Sequence, residues 1–186
     1  MKVIIQPGFE GRESMAAYRA CRSLGVPFVV GGSQFAEPGD VPIGSVEYCH
    51  DVLAALWSTI PKPDFYPGFL HNWMHRSWDR ICVTGSEFLT CPMFVKSGEG
   101  YKVGESKVQP EGYRLPRGIN YLSSPVEFTQ EWRYYVAGGQ VVTSGWYDGV
   151  NDDEPAPELG IAWPDGFCGA VDFGRVSTGE IALVEC

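Results

Sequence analysis

Five side chains could do chemistry together. Phe94-Val95-Lys96 ends an apolar run just before the glycine-rich stretch Ser97-Gly98-Glu99-Gly100-Tyr101-Lys102-Val103-Gly104. Glu131-Trp132-Arg133 opens an apolar and aromatic segment. Asp172 and Glu185 interrupt two later runs, Gly169-Ala170-Val171-Asp172-Phe173 and Ile181-Ala182-Leu183-Val184-Glu185. Two lysines, an arginine and two carboxylates on separate predicted strands suit a magnesium–ATP complex. The cations meet phosphate oxygens, and the carboxylates hold the bridging metal.

Each motif also has a plainer description. Glycines let backbone approach an anion, and Lys96 and Lys102 would neutralise it. Yet this is neither a Walker A loop nor a GxGxxG followed by a helix, and a hairpin with solvated lysines has the same spacing. Strand alternation puts Glu131 and Arg133 on one face and Trp132 on the other. That describes a structural acid–arginine pair as well as an arginine fork reaching a phosphoryl or carboxylate group. Counting back from a turn near Thr178-Gly179 brings Asp172 opposite Glu185, and adjacent carboxylates repel unless a cation lies between them. His71 and His75 are four apart, but Asn72 replaces the glutamate of HExxH, so both are expected to be structural.

The elements that must position these residues fall into two styles. Val3–Ile5, a helix over 11–24 closed by Gly25, and a strand at 27–30 make a βαβ start and favour a parallel sheet. Ser45 is placed to cap a helix through Trp57. Pro61, Pro63 and Pro67 then break the chain into an irregular aromatic segment. From about Ile81 the pattern turns to β, with strands expected at 93–96, 120–122, 131–136, 140–146, 169–173 and 181–185. Gly138-Gly139 signals a tight hairpin, and 151–157 reads as an exposed loop.

Composition narrows the classes. At 186 residues, 44% hydrophobic and 20% charged, the chain is of ordinary globular type. No apolar run nears the roughly 20 residues of a membrane helix, and Met1-Lys2-Val3-Ile4-Ile5 is too short for a signal peptide, so a cytoplasmic location is expected. Without export, the six cysteines are expected to be free thiols, with Cys82 and Cys91 the pair best spaced for an exception. A net charge of −9 argues against broad phosphate neutralisation on nucleic acid. Five Lys/Arg against three Glu between Lys96 and Arg117, and two Arg against ten acids from Glu131 onward, set a basic stretch against an acidic one.

In order and spacing these motifs resemble the ATP-grasp superfamily, closest to a clade of short phage and bacterial proteins named for one arginine and two lysines. The resemblance rests on Val41-Pro42-Ile43-Gly44-Ser45-Val46-Glu47, Phe94-Val95-Lys96, Lys102 with Gly104, Glu131-Trp132-Arg133, Val171-Asp172-Phe173-Gly174 and Leu183-Val184-Glu185. It implies an α/β (α+β) fold: a small βαβ pre-ATP-grasp domain over 1–80, then two mostly antiparallel lobes, 81–123 and 124–186, enclosing a nucleotide cleft. It implies that Lys96 and Lys102 contact ATP phosphates and that adenine sits by the hinge Ser124-Pro125-Val126-Glu127. Glu131 would take the ribose, Asp172 and Glu185 would ligate Mg²⁺, and Arg133 with Lys102 would serve phosphoryl transfer. Such proteins join a carboxylate to an amine or thiol through an acyl phosphate. The alternative is a nucleotide- or partner-binding protein on the same scaffold. The asparagine many relatives carry two residues after the metal-binding glutamate would fall one position past Cys186, the last residue of this sequence. Tyr66, Trp73, Arg76 and Trp78 are candidates to line the pocket for the unidentified acid and amine.

Overall fold

The computed structural model describes residues 1–8, 12–56, 64–75, 78–98 and 106–186. The chain divides into two compact units, Met1–Lys62 and Pro63–Cys186.

In the first unit, β1 (Val3–Ile5), α1 (Arg12–Leu24), β2 (Phe28–Val30), β3 (Val41–Ile43) and α2 (Val46–Leu56) form a three-stranded parallel sheet of order β2-β1-β3. The central strand buries Ile4 and Ile5, as a parallel sheet with a helical crossover requires. Ser45 Oγ accepts the backbone N–H of Tyr48 at 3.2 Å, the cap expected for α2. The third strand, Val41-Pro42-Ile43, was not expected from the sequence, because its central proline argues against a strand. Pro42 is tolerated on β3 because this strand lies at the edge of the sheet.

Asp40 ties this unit together. Its carboxylate accepts the backbone N–H groups of Lys2 (2.8 Å) and Glu37 (2.9 Å), and Lys2 Nζ lies 2.7 Å away. The Lys2 ammonium, foremost, holds the Asp40 carboxyl down at about 2 from its ordinary 3.8. A depressed carboxyl stabilises the fold above its ordinary value, and the contribution is lost as pH falls through the folded value. Wild type is therefore expected to lose protection of the Ile4 and Ile5 amides between about pH 4 and 2 faster than Asp40→Asn does. Hydrogen exchange at those amides checks this, and parallel pH profiles would refute it.

The second unit holds two antiparallel sheets. The smaller has order β4-β7-β5-β6, from β4 (Asp79–Val83), β5 (Met93–Ser97), β6 (Lys107–Gln109) and β7 (Gly118–Ser123). The larger has order β11-β10-β8-β9, from β8 (Phe128–Ala137), β9 (Gln140–Gly149), β10 (Gly169–Val176) and β11 (Ile181–Glu185). Every strand pair in both is antiparallel. Gly138 and Gly139, at φ 58° and 75°, make the hairpin turn between β8 and β9.

Alternation along β8 sends Trp132, Tyr134 and Val136 into the core and Glu131, Arg133 and Tyr135 to the opposite face. Trp132 and Tyr134 join Val171, Phe173, Leu183 and Leu70, the last from the 3₁₀ segment Gly68–Trp73. The loop at 151–157 is irregular, as expected, but it also receives buried donors. Trp132 Nε1 donates to Glu154 O at 3.1 Å, and Tyr134 Oη donates to Pro157 O at 2.6 Å. Gly174 lets Phe128 lie directly on β10, since a Cβ there would come within 2.4 Å of that ring.

His71 lies in the 3₁₀ segment and His75 beyond it, so the two do not share an α-helical face. His75 Nδ1 lies 3.5 Å from Glu180. All six cysteines are free thiols, and no helix among the described residues is long and apolar enough to cross a membrane.

Candidate functional site

The larger sheet brings three of the singled-out residues into a row. Asp172 on β10 is the cross-strand partner of Glu185 on β11 and of Arg133 on β8. Counting from a turn at Thr178-Gly179 gives this Asp172–Glu185 pair, but the rest of the hairpin is one residue out of that count, with Phe173, Gly174 and Arg175 facing Leu183, Ala182 and Ile181. A bulge between Asp172 and Phe173 adjusts the pairing at that point.

Arg133 closes on Asp172. Its Nε and Nη2 donate to the two carboxylate oxygens at 2.7 Å each, a bidentate fork. Asp172 is buried, whereas a quarter of the Arg133 side chain is exposed. This contact, more than any other, raises the guanidinium pKa further above its already high value. The face of the guanidinium lies 3.8 Å from the centre of the Tyr147 ring. Tyr147 has no counterpart in the sequence reading. It reaches Arg133 through the bulge where Glu131/Trp132 pair with Asp148/Trp146, and a bulge on an edge strand is not visible in a residue pattern.

Lys96 comes from the other sheet. It is the fourth residue of β5, is only 6% exposed, and its ammonium contacts the Glu185 carboxylate. It also lies 3.9 Å over the centre of the Phe65 ring. Phe65 is anchored in turn, because its carbonyl accepts the backbone N–H of Cys186 at 3.0 Å. Burial pushes the Cys186 thiol up to about 11, with the Asp64 and Asp172 carboxylates adding to the effect. Two cations and two carboxylates from both sheets thus converge, each cation seated on an aromatic ring.

The same face of the smaller sheet carries an aromatic cluster. Tyr66 and Trp78 stack at 3.9 Å, and Tyr121, the cross-strand partner of Lys96, meets Tyr66 edge-on. Trp78 also packs edge-on against Phe94. Trp73 is elsewhere, against Phe173 in the core. Lys102 and Arg76 lie outside the described residues.

Ser124 to Glu127 form the irregular link between β7 of one sheet and β8 of the other, with Ser124 and Glu127 exposed and Val126 half-buried. Beside it, a recess of about 280 Å³ is lined by Glu127, Glu131 and Asp148 among others. Asp148 was missed by sequence reasoning. It joins Glu131 through the β8–β9 register.

Among the described residues, no three His, Cys, Asp or Glu side chains gather as a metal-binding group. Asp172 and Glu185 are two hard oxygen donors side by side. That set fits Mg²⁺, which commonly takes one or two carboxylates and completes its shell with water and phosphate oxygens.

The model of the ATP-grasp domain, R2K clade family 2, matches residues 76–186, which take in β4 to β11 and every site residue named above from Lys96 onward. No curated protein matches the chain. The mixed fold, with two antiparallel sheets joined by a short link, is that of an ATP-binding domain of ligase type, and the chain belongs to the ATP-grasp superfamily, in family 2 of its R2K clade.

Proposed function

We propose that this protein is an ATP-dependent ligase that joins a carboxylate to an amine or thiol through an acyl phosphate. The observation that carries this reading is the convergence of Lys96, Arg133, Asp172 and Glu185 from two sheets of an ATP-grasp domain. Adenine would lie along the link Ser124, Val126 and Glu127. Ribose hydroxyls, as donors, suit the carboxylates of the neighbouring recess, Glu131 with Asp148 and Glu127. Asp172 and Glu185 would hold Mg²⁺, which when bound draws charge from the phosphate oxygens.

Arg133 and Lys96 then bring positive charge to the oxygens of the γ-phosphoryl group, the region where stabilisation lowers the barrier to transfer most. Lys102 is assigned the same task. A carboxylate oxygen of the acid attacks γ-phosphorus and the bond to ADP breaks. The amine nitrogen next attacks the acyl carbon, phosphate leaves, and the nitrogen gives up a proton. Tyr66 and Trp78, stacked on the Lys96 face of the smaller sheet, could line the acid's pocket, and Arg76 could meet its carboxylate.

The test is ADP release in the presence of ATP, Mg²⁺ and a panel of carboxylic acids, with hydroxylamine trapping the acyl phosphate as a hydroxamate. Lys96→Ala is expected to lower ADP release about 100-fold or more, the scale seen when one charge-stabilising donor is removed. Equal rates in Lys96→Ala and wild type would sink the ligase assignment. Binding of the magnesium–nucleotide complex with no hydroxamate from any acid would favour a binding protein on the same scaffold.

A further inference from the structure

Two of the cations that phosphate would need are already held by the carboxylates that a metal would need. Arg133 spans both oxygens of Asp172 at 2.7 Å, and Lys96 contacts Glu185. Asp172 and Glu185 are cross-strand neighbours, so the two ion pairs adjoin. We propose that the site loads by exchange of ion partners, so that metal-free nucleotide is excluded by the site's own carboxylates. This rests on the ligase reading only in taking Mg²⁺–ATP as the ligand.

The argument is a count of charges left unpaired. For nucleotide alone to reach Arg133 and Lys96, the cations must leave Asp172 and Glu185. Asp172 is only 3% exposed and would lose the guanidinium that satisfies both its oxygens. For a metal alone to reach the carboxylates, Arg133 must give up both oxygens of Asp172 with only a quarter of its side chain exposed. Either route leaves one partner of the buried Arg133–Asp172 pair without its counter-ion, which is costly. When both arrive, Asp172 and Glu185 pass to the metal, Arg133 and Lys96 pass to phosphate, and nothing is stranded. The rings give the cations a fixed seat throughout. Arg133 stays over Tyr147, and Lys96 stays over Phe65, when the carboxylates let go. Coupling of this kind is reciprocal, so nucleotide must raise the affinity for Mg²⁺ by the factor by which Mg²⁺ raises the affinity for nucleotide.

The exchange makes a prediction opposite in sign to simple loss of a metal site. Removing a carboxylate releases its cation from that ion pair, so metal-free nucleotide should bind better. The experiment is calorimetric titration of the β,γ-imido analogue of ATP, in EDTA and in Mg²⁺, into wild type, Asp172→Asn, Glu185→Gln and Asp64→Asn. Asp64 acts on the same Cys186 thiol as Asp172 does, so Asp64→Asn removes an equal charge nearby without touching either ion pair. Wild type is expected to bind at least 100-fold more tightly with Mg²⁺ than in EDTA. Asp172→Asn and Glu185→Gln should each bind about tenfold more tightly than wild type in EDTA and lose most of the gain from Mg²⁺, while Asp64→Asn follows wild type.

An unchanged or weaker affinity of both pair variants in EDTA overturns the exchange, as does an equal gain in Asp64→Asn. Either result leaves the nucleotide site itself standing if wild type binds with Mg²⁺. Absence of binding to wild type in Mg²⁺ overturns the underlying reading as well. Glu185→Gln, at a side chain 41% exposed, keeps the test available if Asp172→Asn fails to fold.

Discussion

Arg133→Ala is expected to lower turnover by about 10² to 10³ and stability by about 3 kcal/mol. The two losses have separate causes. On the proposed ligase reading, turnover falls because the guanidinium would supply two donors in one plane to phosphoryl oxygens, and water filling the space supplies no fixed charge. Stability falls because the Asp172 carboxylate, buried between β8 and β11, loses the bidentate partner that satisfies both its oxygens. The figure sits at the low end for a broken buried pair because a quarter of the Arg133 side chain is open to water. Arg133→Ala/Asp172→Asn removes the stranded charge, so it should recover most of the stability and none of the turnover. Added Mg²⁺ should stabilise Arg133→Ala more than wild type, because in the variant Asp172 has no competing cation. Urea denaturation with and without Mg²⁺, alongside ADP release, separates these effects. A folded Arg133→Ala within tenfold of wild-type turnover would reduce Arg133 to a structural partner of Asp172.

This prediction also marks how far the sequence could be read. Local signals were legible: Ser45 as a helix cap, the Gly138-Gly139 turn, and the short hairpin that carries Asp172 and Glu185, although their pairing there depends on a bulge that counting from the turn did not include. In each, the information lies within a few residues. The partners of the cations were not legible. Arg133 finds Asp172 across 39 residues, and Lys96 finds Glu185 across 89 and from another sheet. Alternation placed Arg133 with Glu131 on one face but could not say that β10 would lie alongside β8. Besides β3, two strands were missed. Asp79-Arg80-Ile81-Cys82-Val83 and Lys107-Val108-Gln109 carry too little apolar alternation to signal a strand alone, and form because β7 and β5 offer them free edges. Asp148 and Tyr147 were missed because β9 is exposed along its whole length, so nothing in its pattern separates functional from solvated residues.

Trp132→Ala should be the most damaging change that touches no ligand, at about 3–5 kcal/mol. The side chain, between Glu131 and Arg133 in sequence, is fully buried on the opposite face of β8 and packs in the core with Phe173 and Leu183. Three things go with it. The cavity left by an indole is too large for the surrounding β-sheet to close. The Nε1 hydrogen bond to Glu154 O is lost, leaving that carbonyl without the indole donor. The Arg175 guanidinium, 5.1 Å above the ring and paired with Glu154, loses the surface it rests on. Trp132→Phe retains most of the volume and should cost about 1 kcal/mol, the usual net value of one hydrogen bond. Urea midpoints measure both. A cost below 1.5 kcal/mol for Trp132→Ala would mean that the 151–157 loop collapses into the space. The functional consequence follows from strand geometry: Trp132 on the core face fixes the plane from which Arg133 projects on the other. Trp132→Phe should therefore bind the magnesium–nucleotide complex like wild type, whereas Trp132→Ala, even where still folded, should bind it more weakly because β8 no longer holds Arg133 in register with Asp172.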